Sequence, residues 1–409
     1  MRTDRVRPRQ SSGFLWLYAV AWAGGAIAYV PFLTILLPVR VAAMVGDERV
    51  HWLAYMTFFG AIAASVGGIT FGWLSDRTRT RRPWIVAGLA GTLALMMCVP
   101  LVNGPLQLLL LIICWQLTLN MMLGPLCAWA ADLVPPSQLG YLGGLLALSP
   151  ALGSAAGALV TIPGLAGPDG RLALVGCLVA TCVLPALIFG RPLVDGSASA
   201  ATCNPQTGRS RTIAMWLARF LVQISEATLF AYLYYYFRSI DPSRDAGWIA
   251  RLFGFVLCAA VPVALLVGRW SDRRGKPILP LVCAALCIAT ALLGMAFASN
   301  SRQATAAYVL FGFATTIFLS LHSAQTLRVL RNADRRGRDL GIFNLTNTAP
   351  SLIMPWLTVT IVPEFGFSTL FLLLAVLAIA AALILLAIAQ GARSTPLRTL
   401  GPLSQAGSA

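Results

Sequence analysis

Ionisable and amide side chains are scarce inside the apolar stretches of this 409-residue chain, so the few found there mark candidate chemistry. Glu226 lies deep in the run "ARFLVQISEATLFAYLYYYF" at 218–237. Arg219, Gln223, Glu226 and Phe230 follow the i, i+4, i+7, i+11 spacing of one helical face. A charged group in hydrocarbon is costly and as a rule faces a cavity or a partner. A carboxyl so placed is a candidate for carrying a coupled proton or for holding a polar solute. The competing reading is a structural pair between Glu226 and Arg219. No P-loop, zinc-ligand cluster or nucleophile elbow occurs in the sequence. ATP-driven pumping by this chain alone and hydrolytic catalysis therefore fall away. The chain is expected not to be an enzyme, and no cofactor or metal is expected.

The elements that must position these residues are membrane helices. Hydrophobic residues make up 58% of the chain and charged ones only 11%, against roughly 25% charged in soluble domains. A spanning helix needs about 20 apolar residues. That length predicts an all-α protein of twelve spans, near 13–38, 51–74, 84–102, 106–131, 140–163, 171–190, 212–237, 247–268, 278–298, 304–328, 340–362 and 367–390. The polar stretch "RPLVDGSASAATCNPQTGRSR" reads as a linker, 191–211, between bundles at 1–190 and 212–390, with a tail at 391–409. The net charge of +16 comes from basic residues in short loops, not from one solvated face, so nucleic acid is not an expected partner. With the N-terminus inside, 22 of the 30 basic residues fall on inner segments and seven on outer ones. The positive-inside rule then places both termini in the cytoplasm. The opening "MRTDRVRPRQSSG" reads as a retained tail, because the apolar run behind it is too long for a signal peptide. The nine cysteines fall mostly inside apolar segments and read as small hydrophobes.

Two charged loops interrupt the apolar pattern, "GWLSDRTRTRR" at 72–82 and "GRWSDRRGKP" at 268–277, with Asp272 196 residues after Asp76. "LGYLGGLLALSP" at 139–150 is echoed by "LGIFNLTNTAP" at 340–350, each opening the fifth span of its half. Such internal repeats imply two bundles that rock about a site between them near the bilayer midplane. Gly72 and Gly268 would let their helices pack closely against a neighbour. Asp76 and Asp272, at helix ends, can accept hydrogen bonds from the amide-rich N-terminus of another helix. Topology alone does not require those acids. Arg82 and Arg269 read as topology signals only.

The two charged loops, each at the expected inner turn of twelve spans, resemble the signature of the major facilitator superfamily. "SDRTRTRRPW", "GPLCAWAADLVPPSQLG" and "GRDLGIFNLTNTAP" resemble its sugar–cation symporter branch, the sucrose/proton and glycoside–pentoside–hexuronide type carriers. Cys127 stands where the sucrose carriers have an arginine, and Leu139 where an arginine opens the fifth span. The resemblance implies a latch on the cytoplasmic side. Asp76 would hold the start of the eleventh span near Asp339–Gly341, with Arg77, Arg79 or Arg81 pairing Asp132. Asp272 would hold the start of the fifth near Gln138–Gly140, with Arg273 and Lys276 in the same loop and Arg328 where an acid would match Asp132. The resemblance further implies a cavity lined by spans 1, 4, 7 and 10. Candidate contacts there are Trp22 and Tyr29, Gln116 and Asn120, the Glu226 face, and His322 with Gln325. Tyr18 joins the aromatic stripe of the first span, and Asn344 and Asn347 are expected to bond between helices.

These readings converge on a secondary carrier moving a small polar solute, a sugar or related metabolite, by alternating access with protons. The expected partners are that solute, the proton and the lipid bilayer, with the chain monomeric in a bacterial inner membrane. The alternatives are a proton-driven exporter of drugs or metabolites on the same fold and a non-transporting membrane sensor.

Overall fold

The computed structural model describes residues 9–190, 205–244, 246–329 and 336–391. Among them are thirteen α-helices: α1 (Ser12–Pro31), α2 (Leu37–Val45), α3 (Arg49–Arg77), α4 (Arg82–Cys98), α5 (Pro105–Leu133), α6 (Leu139–Leu146), α7 (Leu148–Val160), α8 (Pro168–Phe189), α9 (Pro205–Ile240), α10 (Ala246–Arg274), α11 (Leu279–Ala296), α12 (Ser301–Val329) and α13 (Arg336–Gly391). Eleven stretches of the described residues are long and apolar enough to cross a membrane.

Local sequence sets the breaks. Ser11 caps α1 by accepting from the Phe14 amide at 3.1 Å. α1 and α2 form one candidate span, Ser12–Val45, joined by a π-helical turn at Phe32–Leu36. Pro31 has no amide and its ring crowds the preceding turn, so the backbone widens there. The Thr34 hydroxyl donates to the Val30 carbonyl at 2.6 Å. Prolines open α4, α5 and α8 in their first turns, where a missing amide costs nothing. At the start of α12, Asn300 accepts from the Gln303 amide, and the Gln303 side chain accepts from the Ser299 amide.

The two spans the sequence expects, at 340–362 and 367–390, fall within α13, which is two helical segments meeting at a kink. Gly366 breaks its course at φ +76°, a conformation only glycine adopts without strain. The break falls in the expected gap, but only Thr360–Gln390 stands out as an apolar span. α9 begins at Pro205, seven residues before the expected start at 212. Residues 191–204 of the expected 191–211 linker, the N-terminal arginines before Arg9, most of the "RVLRNADRRGR" loop and the tail from 392 lie outside the described residues.

With little hydrophobic drive between helices in lipid, association rests on close packing and hydrogen bonds. α3 packs between α5 and α13, and α6 lies against both α10 and α12. Trp115 is fully buried edge-on to Phe32, with ring centroids 4.7 Å apart. The outer surface is apolar: Leu101, Phe189, Leu266, Phe255 and Leu383 are all exposed. The α3–α4 and α10–α11 turns share one end of the molecule with the N-terminus of α6, an arginine-rich end.

Candidate functional site

Two carboxylates at the arginine-rich end make the same contact in each half. Asp76, in the last turn of α3, accepts from the Gly337 amide at 2.9 Å and the Arg338 amide at 3.0 Å. Asp272, in the last turn of α10, accepts from the Gly140 amide at 2.9 Å and the Tyr141 amide at 2.8 Å. Gly337 and Arg338 are the second and third residues of α13, and Gly140 and Tyr141 the second and third of α6. Each carboxylate therefore does from another helix what a capping side chain does from its own. It satisfies orphan amides at the positive end of the dipole.

Such an approach requires glycine on both sides. A methyl group built on Gly72 would lie 2.5 Å from the Gly337 carbonyl carbon, and one on Gly268 would lie 2.9 Å from that of Gly140. The close face continues up each helix in steps of a turn. On α3 it runs from Asp76 through Gly72 and Gly68 to Ser65, whose hydroxyl meets that of Thr348 at 2.9 Å. On α10 it runs from Asp272 through Gly268 and Ala264 to Val261, which packs with Ala147. The two faces coincide residue for residue at an offset of 196.

The clamps differ in their bracing. Arg81 donates to Asp76 at 2.7 Å, to Asp132 at 3.0 Å and to the Ser75 hydroxyl at 2.6 Å. Of the three arginines the sequence offers for that pairing, Arg81 makes it. Arg77 lies over the Trp73 ring instead, at 5.9 Å. Arg79 takes φ +53° in the turn that ends α3, and Gly275 takes φ +61° at the same place after α10. In the second repeat Pro277 stands at the Arg81 position. The side chain of Arg328, opposite in register to Asp132, lies outside the described residues. Arg269 lies over the Tyr141 ring at 4.7 Å, and Arg273 is exposed beside Asp272. Lys276 is exposed. Arg82 has a structural task beyond topology: it donates to the Gly190 carbonyl at the end of α8 and lies over the Trp129 ring at 5.3 Å.

Nearer the middle, Arg219 does not pair with Glu226. Its guanidinium donates to the Leu319 carbonyl and the Ser323 hydroxyl on α12, both at 3.0 Å, and to the Asn347 side chain on α13 at 3.2 Å. Asn347 donates in turn to Asn344 at 2.7 Å. The Asn344 and Asn120 side chains both approach the bare face of Gly68, and Asn120 donates to the Gln116 carbonyl at 2.9 Å. A polar belt thus runs from α9 through α13 to α3 and α5. Two turns along α9 from Arg219, Glu226 is half-buried and accepts from Gln223 at 2.8 Å. The other amide oxygen-bearing end of Gln223 is buried, its Oε1 without a hydrogen-bond partner among the described residues. Glu226 also interacts electrostatically with Arg219, Tyr29 and Tyr308.

The remaining candidates scatter. Tyr29 is 42% exposed, just before the π-helical turn. Trp22 is half-buried in the packing of α1. His322 is fully buried, its Nε2 2.9 Å from the Met215 carbonyl and its ring stacked on Phe318. Gln325, a turn away, is also buried. Through the Met215 carbonyl, His322 fastens α12 to α9. Sequence reasoning missed Ser323, Tyr308 and the Ser65–Thr348 contact. Hydroxyls in apolar helices usually satisfy their own backbone, so their types alone carried no signal.

Residues 215–405 match the family model described as Major Facilitator Superfamily. Among solved structures, the human organic anion transporter MFSD10 aligns at a TM-score of 0.71 and 14% identity, over 92% of this chain and 100% of that one. A bacterial homologue of the iron transporter ferroportin, in an outward-facing state, aligns at 0.71 and 15%, over 92% and 99%. The chain has the major facilitator fold. A third structure with this fold, the E. coli fucose:proton symporter FucP, aligns at 0.67 and 16%, over 91% and 97%. An uncharacterized MFS-type transporter of Bacillus subtilis, YuxJ, is 28% identical over 164 residues, which is 38% of this chain and 40% of that relative's length. The family model covers a little under half of the chain, and the structural alignments extend the same fold over nine-tenths of it.

Proposed function

We propose that the chain is a secondary carrier in which bundles 1–190 and 212–390 rock about the polar belt, moving a small polar solute with protons. The observation that carries this reading is the pair of matching clamps. Each joins one half to the other at a single end, each is built from a carboxylate and two amides, and each can release as a unit. In this reading 336–365 and 367–391 are the eleventh and twelfth spans. The arginine-rich end is cytoplasmic, since that orientation satisfies the positive-inside rule. The described conformation is then shut toward the cytoplasm and outward-facing. The alignments with structures titled outward-facing support that assignment.

A solute bearing hydroxyl or amide donors fits the belt and the Gln223–Glu226 pair, where the buried Gln223 Oε1 has no hydrogen-bond partner among the described residues. That favours a sugar or related metabolite and makes Glu226, Gln223, Arg219, Asn120, Gln116 and Tyr29 its contacts or coupling groups. A fold neighbour titled a fucose:proton symporter supports the same class. The location consistent with this reading is a bacterial inner membrane.

The test is counterflow in proteoliposomes with a panel of radiolabelled sugars, with and without a pH gradient. Exchange of at least one sugar, accelerated into net accumulation by an inward proton gradient, is the expected result. Exchange of none, with active exchange of an organic anion or drug instead, would replace the symporter by an exporter.

A further inference from the structure

The second clamp borders a feature that the transport reading leaves unused. A cleft of about 200 Å³ opens at the arginine-rich end between the loop before α6 and the end of α10, lined by Arg9, Ser137, Gln138, Tyr141, Arg269, Asp272 and Arg273. Three guanidiniums reach it from two distant parts of the chain. Its single carboxylate, Asp272, is already engaged by the Gly140 and Tyr141 amides. The cleft therefore carries positive charge in excess.

The walls are held in place. The Gln10 amide donates to the Gln138 side chain at 2.7 Å, and that side chain donates back to the Gln10 carbonyl at 2.9 Å. The Gln10 side chain donates to the Leu133 carbonyl at 3.0 Å, which pins Arg9 to the rim. On the other wall, Arg269 is steadied by the Tyr141 ring. Guanidiniums so arranged suit a phosphate group, which takes paired N–H donors.

The surroundings distinguish a lipid from a free ion. Leu266 and Trp270 are exposed at 65% and 41%, and lie one turn from Arg269 and Arg273 on α10. That stripe offers an apolar path for acyl chains ending at the arginines, and an exposed indole beside them suits the headgroup region. Basic pockets between membrane helices at the cytoplasmic face are suited to anionic headgroups. We propose that the phosphate of an anionic phospholipid occupies this cleft, bridging the Arg9 strap of one half to α10 of the other. A lipid held there ties together the same two halves as the Asp272 clamp. It therefore favours the state with the arginine-rich end shut. The binding claim stands apart from the identity of any transported solute.

Native mass spectrometry of the full-length protein in detergent tests it, titrating dioleoyl phosphatidylglycerol and dioleoyl phosphatidylcholine. Phosphatidylglycerol is expected to bind at least about tenfold more tightly. The double variant Arg269→Ala/Arg273→Ala should weaken it about thirtyfold, from two lost charges. Arg269→Lys/Arg273→Lys should retain most of the binding and reports that the cleft is still folded. Arg302→Ala, at the other end of the molecule, should leave binding unchanged. Equal binding of the two lipids, or an unaltered affinity in the alanine pair, overturns the proposal. Equal weakening by Arg302→Ala also overturns it, by showing that bulk charge suffices. Displacement of the lipid by inorganic phosphate at equal concentration would reassign the cleft to the free ion.

Discussion

Replacing Gly72 by alanine perturbs one clamp with a single methyl group. The added carbon would lie 2.5 Å from the Gly337 carbonyl carbon, where ordinary contact begins at 3.4 Å. The obstacle is backbone, which no rotamer change removes, so α3 and α13 must part by about 1 Å. The Asp76 hydrogen bonds, at 2.9 and 3.0 Å, would then stretch to nearly 4 Å and cease to be bonds. Each charge-assisted bond is worth about 1.5–3 kcal/mol, and water that enters recovers part of it. The shut state should lose about 2–4 kcal/mol, roughly 30- to 700-fold in the ratio of shut to open. Spin labels at Thr80, between α3 and α4, and at Arg274, the last residue of α10, both exposed at the arginine-rich end, read that ratio by pulsed electron resonance in a background lacking native cysteine. Gly72→Ala should move the distance distribution toward longer separations. Gly13→Ala, with open space around it, should leave the distribution as in the parent. A distribution for Gly72→Ala that matches the parent would refute the reasoning, because the methyl group would then have been absorbed without opening the clamp.

Four further outcomes follow from the same geometry. Arg81→Met leaves Asp76 and Asp132 facing each other without their shared cation, and should open the arginine-rich end by about 1–3 kcal/mol in the same spin-label assay. Glu226→Gln should abolish proton-driven accumulation in proteoliposomes while solute exchange continues; accumulation at the parent level would remove Glu226 from coupling. Arg219→Met leaves the Leu319 carbonyl, Ser323 and Asn347 without their common donor, and should lower the melting midpoint and impair counterflow together. Gly275→Val forces a branched side chain to φ +61° and should destabilise the protein by about 1–2 kcal/mol in a thermal melt, whereas Arg79→Gly should not destabilise it.

Much of this architecture was written in residue types. Apolar runs of about 20 residues located the candidate spans because the bilayer sets that length. The clamps were legible because an acid flanked by glycine and arginine at a helix end has few structural uses, and because the pattern occurs twice. The amides that Asp76 takes belong to Gly337 and Arg338, two residues before the expected stretch, since nothing local marks where a helix begins within "RRGRDLG". The middle of the protein was harder to read. Glu226 and Arg219 share a face and opposite charge, yet Arg219 turns to acceptors on α12 and α13, whose approach depends on tertiary packing. His322 was ambiguous for the same reason: a polar residue on a membrane helix can point between packed neighbours as readily as into open space. The boundary at Gly366 shows a glycine ending a helix by backbone conformation where composition gives only a modest dip.

If the two halves rock as proposed, the arginine-rich end must open for transport. The Ser65 and Thr348 hydroxyls, 2.9 Å apart across α3 and α13, offer the place to test it. A cysteine pair at Ser65 and Thr348, in a background without other cysteines, can be joined by a short thiol crosslinker and released by reductant. Counterflow of the sugar that exchanges fastest in the panel is then measured in one preparation before crosslinking, after it, and after reduction. Exchange should stop when the pair is joined and return when it is freed. Undiminished exchange with the pair fully crosslinked would contradict it.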